Sequence, residues 1–363
     1  MRKTPLNAAH VEAKARLVDF HGWEMPVQYQ GILEEVKQVR AHAGIFDLCH
    51  MGRLVITGPD REALVERVFS SNLGKMKLGK AKYGFLLNEQ GFPNDDVIVY
   101  RGADVVHIVI NAGNRDRDDA WVREQCATRR YRATVANVSD EQAMIAIQGR
   151  DSEATLQPMC SADLSQLGYY AFTEAKVLGL PMLIARTGYT GEDGFELFPA
   201  KDDARRLWDA LLGSGKPFGV CPIGLGARDA LRLEAGMPLY GNEIELDINP
   251  LEAGLDFGLD LTKDDTIGIP ALRAVKAKGL SRKLVSFVAH SGRVPRHGYE
   301  LFDGANKLGK IASGAASPTV GKNIGTGFVP LSHTAVGTKF EMDVRGSRQP
   351  VEVVQGPFYK RAR

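Results

Sequence analysis

Two adjacent carboxylates, Asp95 and Asp96, stand where a turn leads into an apolar, β-branched strand, in the stretch NEQGFPNDDVIVY (residues 88–100). Adjacent residues of a strand point to opposite faces, so only one of the two side chains can face the interior. Such a carboxylate can cap turn amides, or partial burial can tune it for acid–base or positioning chemistry. The two residues alone leave both roles open.

Two further polar residues lie within or at the end of predicted strands. Asn111 ends the strand HIVINAG, where its amide could bind a ligand or simply tolerate the turn that follows. Glu196 lies inside the strand GFELF, and an inward-facing carboxylate needs a partner because a buried unpaired charge is costly. Arg228 and Arg232, four residues apart on one helix, could pair with it, or a ligand could supply the donors.

A carboxylate in an aromatic-lined recess can accept two parallel hydrogen bonds from a planar edge with adjacent N–H donors. The 2-amino-4-oxo edge of a pterin has this donor pair. Tyr189 and Tyr240 could provide stacking surface, although either could equally belong to a core. A pterin site and a structural Glu–Arg pair therefore both remain open.

The sequence contains no metal-binding pattern and one misleading phosphate-loop match. None of the 8 histidines stands at metal-ligand spacing, and HExxH, GxSxG and GxGxxG are absent. Residues 74–81, GKMKLGKA, satisfy GxxxxGK but end in Ala81, where a phosphate loop needs a hydroxyl group. We therefore predict a solvated basic loop and no metal site.

The elements that must position these residues follow from the hydrophobic patterns. Three strands separated by turns between residues 82 and 113 predict an antiparallel meander, and residues 224–236 predict a helix. After about residue 280, short β-patterns alternate with Gly, Pro, Ser and Asn turns, which is typical of a small all-β module. We predict an α+β body joined at residues 276–283 to a C-terminal β-barrel-like domain.

Composition excludes several classes of protein. The 363 residues suffice for two or three domains, and 46 basic against 44 acidic residues do not favour a nucleic-acid or membrane-surface binder. There is no apolar run of about 18 residues and no signal-peptide core. The 4 cysteines form no CxxC pair, so we expect a reduced, cytoplasmic protein.

Taken together and in order, these segments resemble the glycine cleavage T-protein family, the folate-dependent aminomethyltransferases. The likeness runs nearly from end to end, and the ordered set is highly specific. The segments that carry it are KTPL, DFHGWEMPVQY, AGIFDLCHMG, DDVIVY, INAGN, IAIQG, TGYTGEDGFEL, GARDALRLEAGMPLYGNE, GRVPRHGYELF, IASGAASPTVGKNIGTGFVP and VVQGPFYK.

The resemblance implies an α+β fold of three domains, arranged as a cloverleaf with antiparallel sheets around a central folate cleft. Residues 1–50 plus about 138–226 would form a first, folate-binding α+β domain, and about 51–137 plus 227–278 a second. Residues 279–363 would form a C-terminal β-barrel or jelly-roll-like domain. The composition change near residue 280 agrees with this division.

The resemblance also implies a reaction of glycine catabolism and one-carbon metabolism. The one-carbon unit would move from aminomethyl-dihydrolipoyl H-protein to tetrahydrofolate, giving 5,10-methylenetetrahydrofolate, ammonia and dihydrolipoyl H-protein. The expected partner is the lipoylated H-protein and the expected co-substrate is tetrahydrofolate, without a metal, a nucleic acid or a membrane. A carboxylate at the strand mouth would then face a developing cation.

Site residues are carried over from the family one by one. The catalytic aspartate matches Asp95, the pterin-binding carboxylate matches Glu196, and the ligand-contacting arginine matches Arg228. Further positions that look like cleft lining are Met51, Asn111, Tyr189 and Tyr240.

This chain departs from the family pattern at two places that bear on the shape of the cleft. The family commonly has two glycines before the Asp pair, and here one of them is replaced within GFPN by Phe92 and Pro93, of which Pro93 fixes φ and removes a donor. Cys49 stands where a serine is usual. Neither change removes a proposed catalytic group.

The basic C-terminal residues have two possible roles. Lys360, Arg361 and Arg363 could help to meet an acidic carrier or a glutamate tail, or they could form an ordinary solvated tail.

Two other functions fit the same residues less well. A folate-dependent demethylase of a small methylated donor would use the same cleft, so the residues do not distinguish it. A non-catalytic folate-binding accessory protein would carry a cysteine in a KGCYxGQE-like motif, and MPLYGNE (residues 237–243) lacks it.

Overall fold

Antiparallel strands build most of the molecule. The computed structural model describes residues 1–362, and Arg363 of the basic tail lies outside this range. The strands are β1 (Arg2–Lys3), β2 (Arg16–Phe20), β3 (Trp23–Gln28), β4 (Gly44–Asp47), β5 (Gly52–Thr57), β6 (Lys80–Leu87), β7 (Pro93–Arg101), β8 (Val106–Ile110), β9 (Thr134–Asn137), β10 (Ile145–Gln148), β11 (Phe172–Val177), β12 (Leu180–Ala185), β13 (Gly194–Phe198), β14 (Cys221–Pro222), β15 (Arg282–Ala289), β16 (Glu300–Asp303), β17 (Asn306–Ser317), β18 (Lys322–Pro330), β19 (Lys339–Val344) and β20 (Ser347–Val354). The helices are α1 (Asn7–Glu12), α2 (Ile32–Ala41), α3 (Arg61–Val68), α4 (Arg115–Thr128), α5 (Ser152–Leu156), α6 (Ala204–Gly215), α7 (Leu225–Glu234) and α8 (Ile269–Lys278).

The first large sheet has six strands in the order β11-β12-β13-β10-β4-β14, and its β4–β14 edge pair is parallel. Helix α6 covers one face, where Trp208 and Leu211 share a core with Phe195 and Leu197 of β13. Successive strand residues point to opposite faces. Glu196 therefore points away from α6, toward the middle of the molecule.

The second large sheet is a five-stranded antiparallel sheet in the order β6-β7-β8-β5-β9. Helices α3 and α4 cover one face, where Leu64 and Val122 pack with Val97 and Val99 of β7. The other face turns to the middle of the molecule and carries Tyr100, in a core that it shares with the first sheet and α7. Strand β7 therefore has an apolar cover on both faces.

Helix α7 joins the body to the barrel. Its Arg232 is fully buried and donates to Ser313 of β17 at 2.7 Å. Glu234, at the end of the same helix, accepts a hydrogen bond from Ser317 at 2.5 Å. The strands of the two sheets come from the residue ranges expected for the two body domains. The domain boundaries themselves stay a prediction.

The C-terminal part is a closed six-stranded barrel in the order β15-β18-β17-β16-β19-β20. Phe287, Ile311 and Phe340 are among the side chains that fill it. Its first strand begins at Arg282, inside the predicted junction. The predicted α+β class with antiparallel sheets and a C-terminal β-barrel is thus confirmed. None of the helices in the described part of the chain combines the length and apolarity that a membrane crossing needs.

The rejected phosphate-loop match has no phosphate-loop geometry. Residues 74–79 form turns, and strand β6 follows them at Lys80, whereas a phosphate loop leads into a helix. Lys75 forms an ion pair with Asp260 at 2.8 Å on the surface.

Candidate active site

The predicted cleft residues come together where β7, β13 and α7 meet. They are Met51, Asp95, Asn111, Tyr189, Glu196, Arg228 and Tyr240. Contacts run from Arg228 to Met51 and to the ring of Tyr189. On the other side, Tyr100 of β7 donates to Glu196 of β13 at 3.2 Å. The direct contacts thus form separate groups, which lie close enough for the charge of Arg228 to act on Glu196 and the charge of Asp96 to act on Tyr189.

The carboxylate of Asp95 lies on the α4 side of its sheet. Asp95 alternates with Val97 and Val99, which pack against α3 and α4, and it is fully buried. It accepts hydrogen bonds from the backbone N–H of Asn111 at 2.7 Å, the side-chain amide of Asn111 at 2.9 Å and that of Asn114 at 2.6 Å. Its neighbours on that face belong to a helix-covered core, whereas the resemblance to the family implies a carboxylate at position 95 that faces a developing cation. A catalytic role for Asp95 stays a prediction.

Asp96 has the orientation that was expected of its neighbour. It lies on the same face as Tyr100, toward the middle of the molecule, and it is only half-buried. Its two oxygens accept hydrogen bonds from the Tyr83 hydroxyl at 3.0 Å and from the side-chain amide of Asn111 at 2.7 Å. Burial, together with the negative charge of Asp95, raises the pKa of Asp96 to about 7. Near neutral pH this carboxyl group can therefore hold or release a proton.

Glu196 is buried but keeps one oxygen without a partner. Its Oε2 accepts hydrogen bonds from Thr187 at 2.5 Å and from Tyr100 at 3.2 Å. Its Oε1 accepts none from residues 1–362. Burial raises the pKa of Glu196, while the Thr187 hydroxyl, the charge of Arg228 and the Tyr100 hydroxyl act in the opposite direction. The carboxylate is thus held in place at one oxygen and open at the other.

The two arginines of α7 differ in their partners. Arg232 is fully buried and forms ion pairs with Asp229 at 2.7 Å and Glu243 at 2.9 Å. The half-buried guanidinium of Arg228 lies 4.6 Å from the ring centroid of Tyr189, and no carboxylate of residues 1–362 forms an ion pair with it. Burial lowers the pKa of Arg228. Neither arginine pairs directly with Glu196, so the alternative of a structural Glu–Arg pair is wrong.

The two aromatic residues contact different parts of the site. The Tyr189 hydroxyl donates to the carbonyl of Pro238, which fixes the ring that packs under Arg228. Tyr240 is half-exposed, and its hydroxyl donates to the carbonyl of Pro93 at 3.3 Å. Tyr240 therefore touches the turn that precedes the Asp pair.

The two departures from the family pattern are accommodated locally. Pro93 is the first residue of β7 and pairs with Leu87, at a point where the register of the two strands shifts. Cys49 is buried, and its thiol donates to the carbonyl of Met144 at 3.4 Å. Both positions belong to the framework of the cluster and carry none of its charged groups.

Sequence reasoning missed several contributing residues. Tyr83 donates a hydrogen bond to Asp96, Tyr100 and Thr187 donate to Glu196, and Asn114 and Asp118 lie beside Asp95. The period of two along β7 would have placed Tyr100 on the same face as Asp96. No pattern pointed to Asp118, since an acidic residue in the first turn of a helix is ordinary.

The described part of the basic tail packs on the body. The Arg361 side chain lies 3.4 Å from Asp193, and the ring of Tyr359 lies 3.9 Å from the guanidinium of Arg40. Lys360 is exposed. Within residues 1–362 no three His, Cys, Asp or Glu side chains converge in a way that could hold a metal ion.

Comparisons with known proteins match the whole length of the chain. The family model described as "GCVT N-terminal domain" matches residues 6–263, and the one described as "Glycine cleavage T-protein C-terminal barrel domain" matches residues 282–360. An aminomethyltransferase of Lysinibacillus sphaericus is 40% identical over 365 residues, which are 100% of this chain and 99% of the relative. One of Desulfitobacterium hafniense is 42% identical over 362 residues, 99% of each chain.

A solved structure supports the same relationship. The crystal structure of glycine cleavage system aminomethyltransferase T from Bartonella henselae superposes with a TM-score of 0.93 at 32% identity. The match covers 99% of this chain and 98% of that chain. Sequence and fold thus agree over both the body and the barrel.

Proposed function

Since this chain belongs to the glycine cleavage T-protein family, we propose that it is the aminomethyltransferase that moves the one-carbon unit from H-protein to tetrahydrofolate. The donor is an aminomethyl group bound through sulfur to the dihydrolipoyl arm of the carrier. The products are 5,10-methylenetetrahydrofolate, ammonia and the dihydrolipoyl carrier.

The proposed folate site is supported by two polar groups that lack protein partners. Glu196 Oε1 accepts no hydrogen bond, and Arg228 has no ion-pair partner, among residues 1–362, although both groups are wholly or half-buried in the same cluster. Neither Glu196 Oε1 nor a nitrogen of Arg228 is among the side-chain atoms of residues 1–362 that are both sealed from solvent and without a partner, so both groups are accessible to an incoming ligand. The arrangement is accounted for if a ligand brings N–H donors to Glu196 and an acceptor or an electron-rich ring to Arg228.

Tetrahydrofolate has the chemistry that these groups require. The 2-amino-4-oxo edge of its pterin carries adjacent N–H donors that a carboxylate oxygen can accept. Thr187 and Tyr100 hold Glu196 from behind, so its free oxygen is oriented before the ligand arrives. Tyr189, fixed by its hydroxyl and packed under Arg228, offers a ring for stacking.

We assign to Asp96 the role of the carboxylate that faces the reacting carbon. In the overall reaction two carbon–nitrogen bonds form between the methylene carbon and the two folate nitrogens, while its bonds to sulfur and to the amino nitrogen break. The two protons from the folate nitrogens end on the carrier sulfur and on ammonia. The carbon is iminium-like and cationic on the way, and the Asp96 anion can stabilise it.

The pKa of Asp96, about 7, also suits it to hold a proton in transit. Asp95 is expected to act through Asn111, which donates to both carboxylates, rather than by touching the substrate. This division of roles between the two aspartates is the part of the proposal that variants can separate.

The partner and the location belong to the same proposal. The carrier would present its lipoyl arm at the cleft, and the lipoyl group would come with H-protein rather than be bound by this chain. All four cysteines are free, which agrees with a reducing compartment such as the cytoplasm.

The decisive experiment incubates the purified protein with tetrahydrofolate and aminomethyl-loaded H-protein, and measures ammonia and 5,10-methylenetetrahydrofolate. We expect both products in equal amounts. Unloaded H-protein and omission of tetrahydrofolate serve as controls. Absence of ammonia above these controls would contradict the proposal.

A parallel assay distinguishes the demethylase alternative. The same protein is given tetrahydrofolate and small methylated amines in place of the loaded carrier. We expect no turnover with these donors, whereas turnover comparable to that with H-protein would favour a demethylase.

A further inference from the structure

A second carboxyl group, that of Asp118, lies directly against Asp95 behind the cleft. Asp118 belongs to the first turn of α4, and it is fully buried. Its side chain is within hydrogen-bonding range of the Asp95 carboxylate, and its buried Oδ2 accepts no hydrogen bond from an N–H or O–H donor of residues 1–362. Two acidic groups in contact, shielded from water, require an explanation.

The two carboxyl groups differ sharply in the donors that reach them. Asp95 accepts three hydrogen bonds, two from Asn111 and one from Asn114. Asp118 faces one cation, the half-exposed Arg117, whose Nε lies 3.4 Å away. Touching carboxylates cannot both be ionised without a counter-ion, and hydrogen-bond donors favour the charged form of the group that accepts them. The negative charge therefore belongs on Asp95 and the proton on Asp118.

We propose that Asp118 is a positioning residue: as a neutral carboxylic acid it donates a hydrogen bond to Asp95 and holds Asp95 as the anion that, through Asn111, orients and tunes Asp96. The inference rests on the role of Asp96 proposed above. It links the interior of α4 to the cleft by a continuous chain of four side chains, Asp118, Asp95, Asn111 and Asp96.

The charged and titratable groups around the four linked side chains agree with a neutral Asp118 and an ionised Asp95. Asp118 faces Asp95 from β7, Arg117 from its own helix and Tyr240 from the loop after α7. Burial, then the charge of Asp95, raises the pKa of Asp118 to about 10, so it is protonated at neutral pH. Burial also raises the pKa of Asp95, but the hydrogen bonds from Asp118, Asn111 and Asn114 oppose the rise.

Asp96 is the last of the four linked side chains, and few titratable groups face it. They are Asp95 on its own strand, Tyr83 from β6 and Tyr189 from the loop before β13. A second negative charge on Asp118 would make Asp96 still harder to ionise. Loss of the hydrogen bond from Asp118 would instead let Asp95 take up a proton and would relieve the repulsion on Asp96.

Three variants test the proposal through the pH dependence of kcat/KM. Asp118→Ala removes the donor to Asp95, and we expect a loss of about tenfold or more in kcat/KM, with the acidic limb of the profile moved to lower pH. Asp118→Asn keeps a neutral donor of the same shape and is expected to restore most of the loss and the position of the limb. Asp116→Asn, in the same helical turn but 85% exposed at its side chain, is the matched control.

Two results of these measurements would overturn the proposal. If Asp118→Asn is as impaired as Asp118→Ala while both remain folded, an ionised carboxylate is needed at this position. If neither variant moves the acidic limb of the pH profile, the linked side chains do not influence the pKa of Asp96.

A second measurement does not depend on activity. The infrared spectrum of the ligand-free protein at pH 8 is expected to contain a protonated-carboxyl band that is absent from Asp118→Asn and present in Asp116→Asn. Absence of that band from the unmodified protein overturns the inference even if the assigned reaction is correct. Its presence supports a neutral Asp118 even if Asp96 has another role in the reaction.

Discussion

The side-chain amide nitrogen of Asn111 lies 2.7 Å from an oxygen of Asp96 and links Asp96 to the end of the neighbouring strand β8. The same nitrogen lies 2.9 Å from Asp95, on the other face of the sheet. An amide nitrogen has two hydrogens, so it can serve both carboxylates at once. The two aspartates thus share one donor although the pleat separates their side chains.

The first prediction separates the two aspartates. Asp96→Asn keeps the size of the side chain but removes the anion that faces the reacting carbon. We expect turnover to fall at least about 100-fold while the protein stays folded, because general acid–base and charge-stabilising groups contribute effects of that size. Ammonia release at saturating H-protein and tetrahydrofolate measures it, and circular dichroism checks the fold.

The matched control is Asp104→Asn, in the exposed turn after β7. Asp95→Asn is the informative comparison, since the resemblance to the family assigned the catalytic role to Asp95. Near-normal turnover of Asp96→Asn beside a large loss in Asp95→Asn would restore that assignment.

The second prediction concerns the dependence of stability on pH. The pKa of Asp96 is about 7 in the folded protein and about 3.9 in an unfolded chain, so between these values the folded state binds more protons. Asp96 therefore makes its full contribution to the free energy of unfolding below about pH 4, and this contribution is lost as the pH rises through 7. Asp96→Asn is expected to raise the unfolding free energy at pH 8 relative to pH 5, by about 2–3 kcal/mol.

Urea unfolding of the protein and of Asp96→Asn at pH 5 and pH 8 measures this difference directly. Asp104→Asn again controls for the loss of one surface charge. An equal effect of Asp96→Asn at the two pH values would mean that Asp96 is ionised throughout this range.

The sequence predicted the elements that carry the proposed site residues better than the direction of their side chains. Alternation and turn residues predicted the meander that carries Asp95 and Asn111, and the helix that carries Arg228. These features are local, since the spacing of apolar residues along the sequence follows the period of two of a strand or of 3.6 of a helix. The barrel was predicted for the same reason, from short strands between turn residues.

Which aspartate points to the middle of the molecule could not be read from the sequence. Strand β7 is covered on both faces, with Val97 and Val99 against α4 and with Tyr100 against the centre. A strand buried on both faces has no polar side to mark its orientation. The choice between Asp95 and Asp96 depends on where α4 and α7 pack against the sheet, and this tertiary packing is not written in the pattern of the strand.

The third prediction tests the folate contact of Glu196. Glu196→Gln keeps the shape of the side chain but replaces the charged acceptor by a neutral amide, part of which is a donor. We expect the Kd for tetrahydrofolate to rise about tenfold or more, since a hydrogen bond to a charged group in a buried site is worth this much. Titration calorimetry of the protein without H-protein measures it.

Glu174→Gln, on the edge strand β11 of the same sheet and exposed, is the control for this variant. Unchanged affinity in Glu196→Gln would place the pterin elsewhere and would leave the open oxygen of Glu196 without an explanation.

The fourth prediction uses the two arginines of α7, which lie one helical turn apart and differ in what surrounds them. Arg228 has no ion-pair partner among residues 1–362, so Arg228→Met removes a half-buried charge without leaving a carboxylate that it contacted. We expect the ligand-free protein to keep or gain stability, while the affinity for tetrahydrofolate falls. Such opposite effects are typical of a charge that is kept for binding rather than for folding.

Arg232→Met is expected to behave in the reverse way. Arg232 pairs with Glu243, which lies almost fully buried, and donates to Ser313 of the barrel. Its removal leaves a buried carboxylate without its counter-ion, which costs about 3–5 kcal/mol in other proteins. Urea unfolding and folate titration of both variants measure the contrast. A large loss of stability in Arg228→Met would mean that this arginine supports the fold, and the argument that its missing partner is the ligand would fail.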